Sequence, residues 1–327
     1  MGICYEQTGE TDKAIANYEK SIKLNDKFFS SRYCVAMLYA QNLNNKQAIK
    51  HLEACLNLEP LYWTVLSDFG IQIIADDFRV LLGSLYIADK QYEKAVSTLK
   101  EAIDKYGQRD PKARLLLGQA YYFANKKDDA CKVFKELVDL FEKLMRIHEK
   151  VNMFDIQALG LTPEYERPSK CLDILNPIAE FFMEMGKFDE AEKTLSLADK
   201  FATLGNIKSA GIHARRAMIC AKKNDKASAE AEIKKMAEAD PKCDAEMGEL
   251  AVYFKREGKL ELAETCYKKA VEINPRNTAN LFNFGCLYYK MKNYVKALEM
   301  FEKALAVDPD FEEAKEWAKK AREKLNK

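Results

Sequence analysis

The chain has 327 residues, 48% hydrophobic and 31% charged, with only 13 Gly and 8 Pro, a balance that suits a largely helical folded protein and excludes disordered and collagen-like classes. Lys and Arg total 52 against 51 Asp and Glu, so no net field exists to draw in nucleic acid or an acidic membrane. The longest apolar stretch, near Val80 to Ala88, falls far short of the ~20 residues of a membrane span, and nine scattered cysteines without a Cys-x-x-Cys pair point to reduced thiols and a cytoplasmic setting.

In chain order, residues up to about Lys27 read as most of a helical hairpin, and helix pairs follow over 29–62, 76–109, 111–144, 172–205, 210–243, 244–277 and 278–311. The interval is set by Pro241, Pro275 and Pro309, which lie 34 residues apart and each close a segment with two helical apolar patterns. In the last copy Leu281, Phe284, Gly285 and Tyr288 mark one helical face, and Ala297, Phe301 and Ala304 mark a second. A small residue recurs in every first helix: Gly2, Ala36, Gly83, Gly118, Ala179, Ala217, Ala251 and Gly285. Near the start of every second helix stands alanine: Ala14, Ala48, Ala95, Ala130, Ala191, Ala229, Ala263 and Ala297. Two antiparallel helices joined by a short turn interdigitate only where one contact point on each lacks bulk. Large side chains such as Tyr18, Leu99, Phe134 and Phe301 are expected to fill the space beside it, and Gly9, Gly186, Gly258, Asn125 and Asn224 to end first helices in the left-handed conformation.

On these residues the sequence resembles the tetratricopeptide repeat family over nearly its whole length. The resemblance implies an all-α fold, a right-handed α-solenoid of stacked antiparallel helix pairs. The organisation expected is an N-terminal array over 1–144 (a partial first copy, 29–62, an insertion at 63–75, 76–109 and 111–144), a helix extension and insertion loop over 145–171, and a C-terminal array over 172–311. A capping helix is expected over 312–327, where Ala314, Trp317, Ala318, Ala321 and Leu325 continue a stripe begun by Phe311, with acidic residues early and basic residues late.

Four departures from the pattern stand out. The first copy begins inside its first helix, which leaves an apolar edge that an upstream repeat or another chain would cover; Met1-Gly2-Ile3-Cys4 superficially matches an acylation site, but Glu6 breaks the motif. The insertion 63–75, with Trp63, Phe69, Ile71, Ile73 and Ile74, is too apolar for a solvated loop. In the fourth copy the second helix overruns to about Lys150 and is followed by Phe154, Ile156, Leu159, Leu161 and Tyr165 between Pro163 and Pro168, a segment read as a wedge between the two halves or as a regulator folded into the groove. In the sixth copy His213 and Arg216 occupy positions where large apolar residues are expected, read as a hinge or slipped helix start in preference to a charged binding spot.

Reactive chemistry is poorly represented. The three histidines, His51, His148 and His213, lie in different copies, too dispersed for a zinc site or a nucleophile and base pair. His51 and Cys55, four apart on one helix, are the nearest candidate, but Cys55 stands at a core position. No phosphate loop, dinucleotide fingerprint or paired-carboxylate motif is present, and no cofactor is expected.

The resemblance implies instead that a concave face, formed by the first helices, binds a protein or peptide. The residues one step round from the core stripe are Tyr33, Met37 and Ala40; Val80, Ser84 and Ile87; Leu115, Gln119 and Tyr122; and Phe282, Cys286 and Tyr289. They are apolar and aromatic, with no Lys, Asn and Arg set of the kind that clamps a terminal carboxylate and only Asn283 at a matching site. The ligand expected is therefore an amphipathic helix or an apolar segment, although Tyr33, Phe282 and Tyr289 also suit contacts between neighbouring repeats. Three functions stay open: a cytoplasmic scaffold or adaptor, a regulatory segment of a larger enzyme, and a self-assembling protein that pairs through the N-terminal edge.

Overall fold

The computed structural model describes residues 2–66, 76–104, 110–149, 159, 161 and 163–326. The chain divides into two compact units, Met1–Tyr165 and Glu166–Lys327. The described residues hold seventeen α-helices and one short 3-10 turn, and no strand.

The first unit contains α1 (Gly2–Gln7), α2 (Thr11–Leu24), α3 (Phe29–Gln41), α4 (Asn45–Leu66), α5 (Asp76–Ala88), α6 (Tyr92–Asp104), α7 (Pro111–Phe123) and α8 (Lys127–Glu149). The second contains α9 (Pro168–Glu184), α10 (Phe188–Leu204), α11 (Ala210–Lys222), α12 (Lys226–Ala239), α13 (Asp244–Arg256), α14 (Leu260–Ile273), α15 (Thr278–Lys290), α16 (Tyr294–Val307) and α17 (Glu312–Leu325). Consecutive helices pair, and in each unit the second helix of a hairpin also lies against the first helix of the next, as α6 does on α7 and α14 on α15. The result, within each unit, is a stack of repeats whose neighbouring hairpins bury side chains against one another.

Close approach is what the repeated small residues provide. All eight second-helix alanines are fully buried. A Cβ placed on Gly118 would stand 2.3 Å from the Phe134 ring, one on Gly83 2.4 Å from Leu99, and one on Gly285 2.5 Å from the Phe301 ring. These separations are far inside van der Waals contact, so the bulk of the second helix occupies the volume that the glycine leaves. Phe134, Leu99 and Phe301 are accordingly fully buried.

Every hairpin turn contains one residue in the left-handed region. Gly9, Gly186 and Gly258 (φ 72–76°) and Asn125 and Asn224 (φ 61° and 59°) fill this role, and so do Leu43, Lys90 and Lys292 at φ 58–61°. At one such turn the Asn44 amide donates to the Tyr39 carbonyl at 2.8 Å and the Leu43 amide to Ala40 at 3.1 Å, which satisfies carbonyls the helix end would otherwise strand. Between hairpins the 34-residue punctuation has an equally local cause. Asp240, Asn274 and Asp308 leave the helix in an extended or near-extended conformation, and each side-chain oxygen accepts from the amide two residues on, at 3.0, 3.2 and 3.1 Å. A side chain that mimics a turn, followed by a proline, stops one helix and starts the next.

Helix α8 runs to Glu149, and Phe154 and Ile156 of the following insertion lie outside the described residues, as do Phe69, Ile71, Ile73 and Ile74 of the earlier one. Leu161 and Tyr165 are described and buried. The Tyr165 ring meets Phe141 edge-on at 5.9 Å, and its hydroxyl donates to Asp110 at 2.7 Å, so the end of the insertion packs against the fourth copy.

The sixth copy keeps its register. Ala210, Ile212, Ala217, Ile219 and Ala221 are buried along α11, and the charged residues are absorbed by neighbours in place of the hinge or slipped start expected. His213 Nδ1 lies 2.7 Å from Glu232 Oε2, whose other oxygen accepts from Lys235 at 2.7 Å. Arg216 donates to Glu192 at 3.0 Å and Asp199 at 3.1 Å on α10. Burial raises the Glu232 pKa, but Lys235 and His213 outweigh it and hold the carboxyl below its ordinary range.

Helix α17 closes the second unit. Ala314, Ala318 and Ala321 are buried, Trp317 stands edge-on to Tyr289 at 5.1 Å, and Leu325 is exposed, off the stripe expected for it.

Candidate functional site

The twelve side chains expected on the binding face fall on α3, α5, α7 and α15, the first helices of their hairpins. Eleven are half-buried. Leu115 is buried, only 7% exposed, and serves the core more than the surface. Tyr33 stacks on Phe29 at 6.3 Å, and Ser84 donates to the carbonyl of Leu81 at 2.7 Å. Phe282 meets Phe301 and Phe311 at 5.7 and 5.0 Å, and Tyr289 meets Tyr294 and Trp317, each at 5.1 Å. In the last repeat, then, the capping helix and its lead-in occupy part of the row. Met37 and Gln119 keep surface toward solvent without a hydrogen bond or ring contact among the described residues.

A groove forms where the row was not extended. The first helices α9, α11 and α13 of the second unit enclose about 630 Å³. Met183, Ala214, Met218 and Leu250 supply its apolar lining; Glu180, Glu184, Glu246 and Glu249 supply acidic groups, and Arg215, Lys222 and Arg256 basic ones. The charges are not equivalent. Arg215 is committed to Glu180 through two hydrogen bonds at 2.6 and 2.9 Å and to the Gly211 carbonyl at 2.9 Å. Lys222 is committed to Glu257, and Arg256 sits over the Tyr253 ring at 5.8 Å. Glu184, Glu246 and Glu249 are exposed, with no ion pair among the described residues. Glu180, Met183, Ala214 and Met218 stand at the same offsets from Ala179 and Ala217 as Met37 and Ala40 from Ala36, or Tyr33 from it, so the signal for this groove was present in the repeat register.

The one reactive pair raised by sequence is a packed pair. Cys55 is fully buried and burial pushes its thiol up to about 12. His51, 4% exposed, stacks on Tyr39 at 5.8 Å with Nε2 3.1 Å from a Glu19 oxygen. Burial holds its pKa below the ordinary histidine value despite that carboxylate. All nine cysteines are unpaired. Among the described residues no group of three or more His, Cys, Asp and Glu is placed to hold a metal ion, and no helix is long and apolar enough to cross a membrane.

Paired helices stacked in series, with a surface on the first helices, define a helical-repeat protein. Models of the tetratricopeptide repeat match residues 1–28, 77–143, 247–277 and 281–311. The chain belongs to the tetratricopeptide repeat family, whose members generally mediate protein interactions and typically lack catalysis. BBSome complex member BBS4 of Bos taurus is 42% identical over 60 residues, 18% of this chain and 12% of that protein. Two solved structures are similar to this chain over most of its length. A tetratricopeptide repeat protein from Parabacteroides merdae is 12% identical, covers 90% of this chain and 98% of its own, and gives a TM-score of 0.49. The C-terminal part of a repeat-containing protein from Cytophaga hutchinsonii is 14% identical over 87% and 98%, with a TM-score of 0.47.

Proposed function

We infer that this chain is a non-catalytic scaffold or adaptor that holds an apolar or amphipathic segment of a protein partner along its first helices. The eight-repeat division, with the capping helix over 312–327, is part of this reading. The observation that carries it is the half-buried row on first helices, which presents Met37, Ser84, Ile87, Gln119 and Tyr122 while the framework beneath is fully packed. Such side chains give contact area to a ligand without depriving the core of any contact. The unpaired cysteines, several with thiols pushed up by burial, support a reducing cytoplasmic setting.

A photoactivatable amino acid placed at Met37 or Tyr122 tests the reading in cells. Discrete polypeptide adducts are expected from both positions, and Met37→Glu should weaken recovery at Tyr122 by about tenfold, while Lys100→Glu on a second helix should not. Adducts that are unchanged by Met37→Glu, or that form equally from position 100, would reject the surface.

A further inference from the structure

We propose that the groove of α9, α11 and α13 takes a basic amphipathic helix, with Lys or Arg at both ends of an apolar face. This inference rests on the adaptor reading above and adds the partner's chemistry.

The apolar floor comes first. Met183 and Met218 are unbranched and polarizable, which lets a surface adapt to leucine, isoleucine or aromatic side chains without a fixed shape. They are half-buried on α9 and α11, and α13 adds the half-buried Tyr253, whereas Leu250, only 1% exposed, belongs to the core. Three neighbouring first helices, at the usual interaxial spacing, span about 20 Å, the length of roughly 13 helical residues. A partner of that length would cross all three.

The charges then choose its sign. In the middle of the groove Arg215 is already neutralised by Glu180, and Lys222 is turned to Glu257 on the next repeat. What remains at one end is Glu184, near the C-terminus of α9, and at the other Glu246 and Glu249, in the first turns of α13. All three are exposed. Against them stands only Arg256, held over an aromatic ring. An acidic segment would meet uncompensated carboxylates at both ends, whereas a basic one would meet a counter-charge at each. Glu246 also lies favourably near the positive end of its own helix, so Glu184 and Glu249 are the cleaner probes.

The test uses the full chain and three synthetic helical peptides of about 18 residues with one leucine pattern and Lys, Glu or Gln on the polar face, read by fluorescence anisotropy. The Lys peptide should bind at least about tenfold tighter than the Glu peptide, with affinity falling as salt rises. E184K with E249K, at exposed positions and checked by circular dichroism, should invert that order. Equal affinities for all three peptides, lost together in a Met183→Ser, Met218→Ser variant, would overturn the charge assignment and leave the adaptor reading standing. Preference for the Glu peptide, or Lys-peptide binding indifferent to E184K/E249K, would overturn the proposal alone. Binding of none of the peptides would overturn the proposal, and the adaptor reading would then stand or fall on the crosslinks from Met37 and Tyr122.

Discussion

One residue past the small packing position, the first helices of the first unit carry Met37, Ser84 and Gln119, while those of the second carry Glu180, Met218 and Val252. Two before and five after the small position the first unit has Cys34, Gln41, Leu81, Ala88, Leu116 and Phe123, whereas the second has Glu184, Arg215, Glu249 and Arg256 among the corresponding residues. The positions one step inward do not differ in this way: Ala36, Ala179, Ala217 and Ala251 are fully buried alike, opposite Leu52, Leu195, Ile233 and Tyr267. Packing fixes the inner set because each hairpin must close over the same gap. The outer set does not have to fill that gap, so the two regions are free to present different chemistry from one framework.

If the framework is shared, deleting the ring beneath the small residue should cost the same in both regions. Phe134→Ala in the first unit and Phe301→Ala in the second should each lose about 3–5 kcal/mol in urea unfolding; a several-fold disparity would break the equivalence. The charged network of the sixth copy tests what polar side chains add to that framework. Arg216→Met should lose about 1–2 kcal/mol, kept modest because Glu192 and Asp199 retain access to water. A stabilised variant would show that the network costs more in desolvation than its pairs return.

The turns offer a smaller, reciprocal test. Leu43 is 86% exposed at φ 58°, where a side chain on Cβ is strained. Leu43→Gly should gain about 1 kcal/mol and Gly186→Leu should lose about as much in thermal unfolding.

The least effect expected is on pH dependence. His51 is held neutral by burial, so the unfolded chain takes up more protons as pH falls through about 6.5, and stability declines over that window. Glu232 and Asp225 in the second unit are depressed carboxylates. Their contribution is complete above about 4.3 and is lost only as pH falls through their lower folded values. Melting at pH 7.0 and 5.5 should therefore show a decline that His51→Gln removes; a decline untouched by that change would place its source elsewhere.

Much of the framework was legible in the sequence. The eight alanines announce close packing because no other side chain but glycine fits there, and Gly9, Asn125 and Gly258 announce left-handed turns because they tolerate them. Leu43, Lys90 and Lys292 adopt the same turn without any such mark; the hairpin imposes the conformation and the residue bears the strain. His213 and Arg216 suggested disturbed register because each looked out of place on its own helix. Their partners Glu232, Glu192 and Asp199 lie on the second helices facing them, and only the pairing of helices brings the charges together. Glu180, Met183, Ala214 and Met218 obeyed the same offsets as the expected row, but Glu184 and Glu249 lie further round the helix, where the apolar pattern gives no signal.

The most direct measurement is to locate a bound segment on the repeat itself. A Lys-faced amphipathic peptide carrying a photoreactive group at its centre, crosslinked to the full chain and mapped by mass spectrometry, should label fragments within 168–184 and 210–222 and be competed by unlabelled peptide. Labelling confined to the second helices at 188–204 and 226–239 would contradict a binding face on the first helices.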